Sequence, residues 1–509
     1  MKTGKAPGAG AALYFALSFA PVLYLLTRVR AGGDALLSAR RLGLMANSLL
    51  LGLLVASLCM IAGLAAAQGI RRGPLARRGC RWFFLLLAPV PPYVYALSWL
   101  SVARLWRLNP TGMLPSVAVE VLAYLPVCTG ISLLALERLP KEPVQLALLM
   151  GREKKAFWDV VLPSVFPQVL ASGGLVFILS VTDFSIPSLF QVNVYAMEIF
   201  SDYSAQGRTY HSFLLSLPLT AVAAVVMLLC MDPVKSILMA APSGAAPPVR
   251  GGAAVAAAAW AGVAVCLFQV AFPLAALSPH LPSLGQAILL SWEELAVSCL
   301  TGVLAGLLAL APAALAAECL LALRGKKWLW YLLLFPIALP GSIIGLGLLE
   351  LVNKSPFHRL GRTVWMPALG LAVHYLPYLL LLLVGAFARL DRDKLALGRV
   401  LARTRAKYLF RVRLPMLSGG LLAAFSVAFM LSMADVGTVL MLMPAGMEPL
   451  SVKIYNYLHY GSSELVAGFC YFQVLLCMAV MLLTGLFLSA RKKERRGMDD
   501  GRQERGQGD

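Results

Sequence analysis

Charge is scarce in this chain of 509 residues, since only 13% of them are Asp, Glu, Lys or Arg. A soluble domain carries about 25% charged residues, so this scarcity excludes an ordinary globular protein and a disordered chain. The nine cysteines show no CxxC or Cys/His metal spacing, and the sequence therefore predicts neither a disulfide framework nor a cysteine-based metal site. The phosphate-cradling pattern G-x-x-x-x-G-K-S/T is also absent, which excludes ATP hydrolysis by that route.

Long apolar runs are abundant instead, in a composition that is 60% hydrophobic. A helix needs about 20 apolar residues to cross a hydrocarbon core of about 30 Å, and runs of that length recur along the chain. They predict an all-α polytopic membrane protein with about twelve transmembrane helices. The predicted spans are 11–29, 44–69, 82–102, 114–136, 167–190, 211–231, 253–277, 295–322, 328–351, 366–388, 417–443 and 466–489.

The distribution of Lys and Arg predicts the orientation of these spans. If both termini and the even-numbered connections are cytoplasmic, that side holds 33 of the 44 basic residues. The cytoplasmic side then includes a Pro- and Gly-rich linker at 232–252 and a charged tail at 491–509, which is predicted to be disordered. The net charge of +20 follows from this topology, so no nucleic-acid partner is needed to explain it. Four arginines on the opposite side are predicted to snorkel at the membrane interface: Arg28, Arg30, Arg40 and Arg41.

The chain repeats itself at a nearly constant offset. Tyr124-Leu125-Pro126 recurs as Tyr375-Leu376-Pro377 at an offset of 251, and Leu162-Pro163 recurs as Leu414-Pro415 at 252. Further matches in the same register predict a duplicated and fused unit of six spans, with halves at 1–231 and 253–490. An even number of spans per unit makes the two halves parallel, related by an axis along the membrane normal.

The two most polar cytoplasmic connections occupy equivalent places in the halves, at about 137–163 and 388–415. Each pattern predicts a short amphipathic helix, a break, and a second helix that stops at the proline where the next span begins. Such a helix can dock into a groove on a soluble partner, although any positive-inside loop can look similar. Recurrence at equivalent places favours the docking interpretation.

Polar residues inside the predicted spans are the second candidate site, because a charge in hydrocarbon costs at least about 2.5–3.5 kcal/mol. Asp183 and Asp435 occur at duplicated positions, each three residues after a serine, Ser180 or Ser432. Two interpretations remain open for the pair. The carboxylates attract a cationic cargo in a central pathway, or each one hydrogen-bonds a broken helix or a neighbouring span. Four further residues have no partner at the repeat offset and are predicted to be packing or water contacts: Glu120, Glu318, Glu350 and His374.

The two polar connections resemble the EAA loop of ABC-importer permeases, which ends in a hydrophobic-x-Leu-Pro pattern. The Glu position of that loop is occupied here by Val144 and Ala396. The residues matched to the loop are Gly151, Phe157, Leu162 and Pro163 in the first half, and Ala402, Phe410, Leu414 and Pro415 in the second. The fused halves and the segment Asp183 to Leu189 look most like the ferric-iron and thiamine branch of that family.

The resemblance implies a bacterial inner-membrane subunit that is not an enzyme and holds no cofactor. ATP would be bound by a separate cytoplasmic ABC ATPase dimer, into which the two coupling loops dock. A periplasmic or extracellular solute-binding protein would deliver the cargo, and the halves would alternate access across the lipid bilayer. The branch implies ferric iron as cargo, with thiamine, a polyamine or a phosphonate as alternatives. Possible pathway residues are Asp183, Asp435, Ser180 and Ser432.

Two other classes of protein fit the hydropathy. A twelve-span secondary transporter also has parallel six-span halves, but its motif-bearing loop after the second span corresponds only weakly to Arg71 to Arg78. A membrane enzyme would need a polar catalytic cluster in an external loop, and the external loops here are short. The paired coupling loops favour the importer.

Overall fold

The computed structural model of the chain describes residues 6–28, 38–72, 90–150, 153–207, 209–239, 252–323, 325–460 and 463–505, together with 247 and 249. All regular elements in these residues are helical, which confirms the predicted all-α class. Helices suit a membrane chain because they satisfy every backbone N–H and C=O within one segment, where no water is available.

The helices follow the order of the predicted spans. In the first half they are α1 (Ala6–Arg28), α2 (Ala39–Arg72), α3 (Pro92–Leu105), α4 (Met113–Glu137), α5 (Lys141–Leu149), α6 (Glu153–Ala156), α7 (Leu162–Thr182), α8 (Ser185–Leu189), α9 (Tyr195–Gln206) and α10 (Thr209–Met239). In the second half they are α11 (Ala253–Leu277), α12 (Leu284–Leu290), α13 (Trp292–Ala322), α14 (Lys327–Leu334), α15 (Gly341–Asn353), α16 (Trp365–Ala388), α17 (Arg392–Leu401), α18 (Arg405–Tyr408), α19 (Leu414–Ala434), α20 (Gly437–Leu442), α21 (Leu450–Tyr460) and α22 (Ser463–Arg505).

Among the described residues, 10 helices are long and apolar enough to cross a membrane. A bent pair, Lys327–Ala338 with Gly341–Asn353, makes an eleventh span if it is counted once. The chain turns by 92° there, so the predicted span at 328–351 is formed by two helices with a break between them. Pro336 and Pro340 explain the bend, because proline lacks the N–H that would continue the helix. The twelfth predicted span, 82–102, lies partly outside the described residues and ends in α3.

Two more predicted spans end earlier in the sequence than predicted. The spans 167–190 and 417–443 were predicted to run through their aspartates, but α7 ends at Thr182 and α19 ends at Ala434. Asp183 and Asp435 have extended backbone conformations, with ψ of 136° and 126°. Hydropathy alone misses such breaks, because apolar residues also occur in the short helices that follow, α8 and α20.

The predicted linker and tail also need correction. Helix α10 continues through Pro233 to Met239, so the linker begins later than residue 232. The tail was predicted to be disordered, yet α22 is helical as far as Arg505. Residues 491–505 are rich in Arg, Lys and Glu, which favour helix, and extending a formed helix costs less than starting a new one.

The first helix of each half packs against the other half. Helix α1 contacts α13 and α15, whereas α11 contacts α2 and α3. Small residues permit these close crossings: a Cβ at Gly69 of α2 would meet the backbone oxygen of Ala259, and a Cβ at Gly262 of α11 would meet the backbone of Ala66. Interfaces of this kind let helix backbones approach closely in lipid. The two halves are therefore intertwined through their first helices.

The four arginines that did not fit the charge bias have local explanations where the structure describes them. Arg40 lies 2.9 Å from a carboxylate oxygen of Glu198 in α9, and Arg41 lies 3.5 Å from the other oxygen. Arg28 stacks over an aromatic ring of its own helix, 5.6 Å from the ring centre. Arg30 lies outside the described residues. The interfacial positions are thus supported by an ion pair and a cation–π contact, in addition to any snorkelling.

Candidate functional site

The first break in the membrane helices is built around Asp183. Its Oδ1 accepts a hydrogen bond from the backbone N–H of Ser185 at 2.8 Å and another from the hydroxyl of Ser185 at 2.7 Å. Its Oδ2 accepts the Tyr124 hydroxyl at 3.3 Å. The carboxylate therefore caps α8, whose first N–H groups have no partner within the helix, and ties the break to α4.

The second break is built in the same way around Asp435, with more donors. Its Oδ1 accepts the backbone N–H groups of Thr438 at 2.7 Å and Val439 at 3.4 Å. Its Oδ2 accepts the Tyr375 hydroxyl at 2.8 Å and the Thr438 hydroxyl at 3.0 Å, and lies 3.0 Å from Nδ1 of His374. The residue is buried. Asp435 thus caps α20 and joins it to α16 through a saturated network of donors.

The two breaks lie against each other. The ring of Phe184, in the first break, lies 3.5 Å from where a Cβ would stand on Gly437 in the second break. The same ring packs edge-on against Tyr455 of α21, with ring centres 6.0 Å apart. The duplicated sites are therefore adjacent. Asp183 and Asp435 each hydrogen-bond a short helix after the break and a neighbouring span, as the structural interpretation of the pair predicts.

The serines that precede the aspartates have different surroundings. Ser180 donates a hydrogen bond to Oε2 of Glu120, a carboxyl group that is fully buried and whose other oxygen has no partner among the described residues. Leu371 stands at the equivalent position in the second half, at the offset of 251. Accordingly, the hydroxyl of Ser432 has no hydrogen-bond partner in the part of the chain that the structure describes. Duplication of the serine thus did not duplicate its contact.

The unduplicated polar residues are more engaged than the sequence predicted. The sequence predicts only a packing or water contact for His374, yet its Nδ1 lies 3.0 Å from the Asp435 carboxylate. Its ring also stacks on Tyr375, with ring centres 4.6 Å apart. Glu350 accepts the Tyr210 hydroxyl at 3.2 Å. Glu318 forms an ion pair with a residue of the second coupling segment, Arg413. The available signal for His374 was its position directly before the duplicated Tyr-Leu-Pro motif.

In the first coupling segment α5 ends at Leu149 and is followed by α6 and a π-helical turn at Phe157–Val161. Val144 and Phe157 are buried, so the segment rests on the spans. The opposite face exposes apolar side chains, with Leu149 85% and Met150 63% accessible. Gly151 lies outside the described residues. The predicted helix–break–helix pattern is present in this segment.

The second coupling segment repeats this arrangement with α17, α18 and a π-helical turn at Leu409–Arg413. Ala402 ends α17, and the Asp391 carboxylate caps its first turn by accepting the N–H of Asp393 at 3.0 Å. Gly398 is buried, and a Cβ there would stand 2.5 Å from the Val412 side chain. The sequence comparison missed this glycine. It lets α17 pack closely on the π-helical turn.

The structure corrects the alignment of the two coupling segments. Phe157 was matched with Phe410, but the π-helical turns place Phe410 opposite Trp158, and Leu409 opposite Phe157. The exposure agrees with this register, because Trp158 and Phe410 are both well exposed whereas Phe157 is buried. The error arose because an aromatic residue stands at both positions in the first half.

The prolines do not stop the helices as predicted. Pro163 and Pro415 lie in the first turn of α7 and α19, and each helix continues without interruption from its π-helical turn. In the first half the N–H of Leu162 bonds to the carbonyl of Phe157, five residues earlier. This wider turn relieves the clash of a proline ring with the carbonyl four residues before it. Each coupling segment is therefore joined rigidly to the span that ends at Asp183 or Asp435.

Neither candidate region has the character of a metal centre. Among the described residues, no group of three or more His, Cys, Asp or Glu side chains is placed to hold a metal ion. The described cysteines form no disulfide with one another and lie in buried or half-buried positions. The carboxylates at the breaks serve in hydrogen bonding and helix capping, and the coupling segments present exposed apolar side chains.

Comparison with known proteins agrees with this arrangement. Residues 59–237 match the family described as binding-protein-dependent transport system inner membrane component. A putative 2-aminoethylphosphonate transport system permease protein, PhnV of Salmonella typhimurium, is 27% identical over 213 residues, which cover 40% of this chain and 76% of that protein. A probable molybdenum ABC transporter permease of Haloferax volcanii is 28% identical over 31% of this chain and 59% of its own length.

A third relative, the inner membrane ABC transporter permease YnjC of Escherichia coli, is 29% identical over 32% of this chain and 30% of its own length. Permeases of this kind are not enzymes themselves, since the ATPase is a separate subunit. The ten span-length helices and these relationships identify the chain as an ABC-importer permease for a small solute, a multi-pass protein of the inner membrane.

Proposed function

We propose that this permease imports a small phosphonate or a related oxyanion, delivered by a solute-binding protein and driven by a cytoplasmic ABC ATPase dimer. The coupling segments, at 137–163 and 388–415, dock into that ATPase. The single observation that carries the role of an ATPase-driven permease is the pair of exposed apolar helix ends at equivalent places, in α5 and α17. Both termini lie on the same cytoplasmic side, as the charge bias favours.

Exposure supports the docking role. Leu149 is 85% exposed at the end of α5, and Val400 is 82% exposed at the end of α17, with Leu401 next to it. Apolar residues clustered at a helix end and rimmed by charge are typical of a site that a partner covers. Ala402, Trp158 and Phe410 belong to the same two segments, and Trp158 and Phe410 are well exposed.

The connection between coupling segment and span supports a mechanism of alternating access. Helix α7 has 21 residues, which at about 1.5 Å per residue makes it about 30 Å long. It carries the π-helical turn and Leu162-Pro163 at one end and the break at Asp183 at the other. Helix α19 likewise begins with Leu414-Pro415 and ends at the break at Asp435. Movement of the coupling segments, when the ATPase closes, would therefore reach the adjacent breaks directly.

The cargo is proposed from the relatives and from the state of the carboxylates. The relatives are named for 2-aminoethylphosphonate and molybdenum transport, both of which involve oxyanions in water. A ferric cargo drew its residue-level support from Asp183 and Asp435 as cation ligands. Their oxygens already accept hydrogen bonds from Ser185, Tyr124 and the network around α20, which leaves little capacity for a cation. We therefore place Asp183, Asp435, Ser180 and Ser432 beside the pathway as structural residues.

Docking is tested by Leu149→Glu combined with Val400→Glu. Burying two carboxylates in an apolar groove is costly, so the variant should lose co-purification of its ATPase while still inserting into the membrane. Leu114→Glu is the matched control, since Leu114 is 80% exposed at the start of α4, away from both coupling segments. Unchanged co-purification with the double variant would contradict the proposed surface.

The cargo is tested by uptake into vesicles reconstituted with the permease, its ATPase and its binding protein. Labelled 2-aminoethylphosphonate, molybdate, ferric iron and thiamine are compared at equal concentration. ATP-dependent uptake of phosphonate or molybdate is expected. Uptake of ferric iron or thiamine alone would reject the oxyanion proposal and leave the docking proposal intact.

A further inference from the structure

The short helices α9 and α21 are anchored in the same way in the two halves. The backbone N–H of the first residue of α9 donates to the hydroxyl oxygen of Ser48 in α2, at 2.8 Å. The first residue of α21 donates in the same manner to Ser298 in α13, at 2.7 Å. Counted from these helix starts, Phe200 and Tyr455 occupy the same place, and each follows an isoleucine. The two halves therefore carry one aromatic ring each at equivalent positions.

The ring of Phe184 lies between these two equivalent rings. It stacks on Phe200 with ring centres 5.4 Å apart and an angle of 9° between the planes, and it meets Tyr455 edge-on at 6.0 Å and 87°. It also lies 3.5 Å from where a Cβ would stand on Gly437, which follows Val436, the residue equivalent to Phe184 at the offset of 252. Equivalent parts of two related halves can touch only near the axis that relates the halves. Phe184 therefore lies close to that axis.

Apolar side chains fill the space between the halves at this level. Phe184 is 6% exposed, and Val436 and Tyr455 are equally well buried. In a transporter built from two related halves, the pathway runs between them. An apolar constriction closes such a pathway to ions, because water and the hydrated ion are both excluded from a narrow apolar space. Burial at this position therefore means that the pathway is sealed at the level of the two breaks.

We infer that Phe184 is the gate residue that closes the pathway to the oxyanion, with Phe200 and Tyr455 as its two walls. This inference rests on the proposed function, since it requires a pathway between the halves. One ring serves both halves, because the second half has only Val436 and Gly437 opposite it. Helix α7 joins the first coupling segment to the break that carries Phe184. Movement of that segment therefore withdraws the ring from Gly437 and Tyr455, while its stacking on Phe200 stays within the first half.

The test measures passive permeation through the permease and its ATPase, reconstituted in vesicles without ATP and without the binding protein. The probes are radiolabelled chloride and radiolabelled molybdate. Phe184→Ala should raise the permeation rate of both anions at least about tenfold above wild type, because the constriction becomes wide enough to hold water. Phe429→Ala is the matched control. It removes the same side chain at the same degree of burial, 7% exposed, from a ring of α19 that lies against Gly302 of α13.

Equal permeation through Phe184→Ala and Phe429→Ala would overturn the inference. If thermal unfolding shows that Phe184→Ala does not fold, Tyr455→Ala takes its place, because it removes the opposite wall of the seal. Its control is Tyr455→Phe, which keeps the ring and should stay closed, so that equal permeation of these two variants would also overturn the inference. Passive permeation of chloride depends neither on ATP nor on the identity of the cargo. A tight Phe184→Ala variant therefore rejects the gate alone, whereas lack of ATP-driven oxyanion uptake by wild type rejects the cargo proposal alone.

Discussion

Asp435 offers the sharpest test of whether the intramembrane carboxylates are structural. Asp435→Ala removes the acceptor for two backbone N–H groups, the Tyr375 hydroxyl, the Thr438 hydroxyl and the imidazole of His374. A buried donor left without an acceptor costs about 1–3 kcal/mol. If the Thr438 hydroxyl finds another acceptor and the imidazole changes its tautomer, three donors remain, and the loss is still at least about 3 kcal/mol.

Asp183→Ala provides the matched comparison. It removes the same kind of cap, but the hydrogen bonds that are lost come from two residues, Ser185 and Tyr124. Asp183 is also partly exposed, whereas Asp435 is buried. If the Ser185 hydroxyl finds another acceptor, as was allowed for Thr438, two donors remain, so the loss is at least about 2 kcal/mol and this variant should be less affected. Thermal unfolding of both purified variants in detergent measures the difference. Equal melting temperatures would refute the reasoning from donor count.

Asp435→Asn separates stability from cargo binding. The amide keeps the oxygen that caps α20, while the negative charge is removed. In the structural interpretation, KM for uptake stays at the wild-type value when rates are normalised to folded protein. A raised KM in a normally stable Asp435→Asn variant would instead make this residue a cargo contact and would restore the case for a cation.

Three further predictions follow from close contacts and topology. Gly69→Ala should lower the melting temperature, because the new Cβ would meet the backbone of α11. In the control Gly43→Ala, on the same helix, the new Cβ meets nothing within 4 Å, so this variant should be neutral or stabilising. Equal shifts in melting temperature would refute the close crossing. Gly398→Ala should lower the free energy of unfolding by about 1–3 kcal/mol through overpacking and should reduce coupled ATP hydrolysis. Val412→Ala should restore both, because it removes the side chain that the new Cβ meets. Failure of this rescue would show that the effect does not come from the contact with Val412. A reporter fused after Arg496 should be cytoplasmic, since most Lys and Arg lie on that side; a periplasmic signal would reverse the topology.

Several local features could be predicted because they depend on composition or on short-range pattern. The bounds of α4 and α16 were predicted within one residue, since polar or charged residues flank those apolar runs. The helix–break–helix form of the coupling segments followed from amphipathic spacing. The breaks at Asp183 and Asp435 were missed as helix ends, because each carboxylate lies between apolar segments and acts as a cap only when the chain turns.

The sequence by itself determined the class of this protein, and it predicts a duplicated plan and the places of the coupling segments. These follow from how many apolar residues cross a bilayer and from matches at a fixed offset. Only the tertiary structure decided that α1 and α11 each pack against the opposite half and that His374 lies beside Asp435. Such contacts join residues far apart in the chain, and they depend on which helix backbones can approach closely and on which donors find an acceptor. Local hydropathy predicts neither of these two conditions.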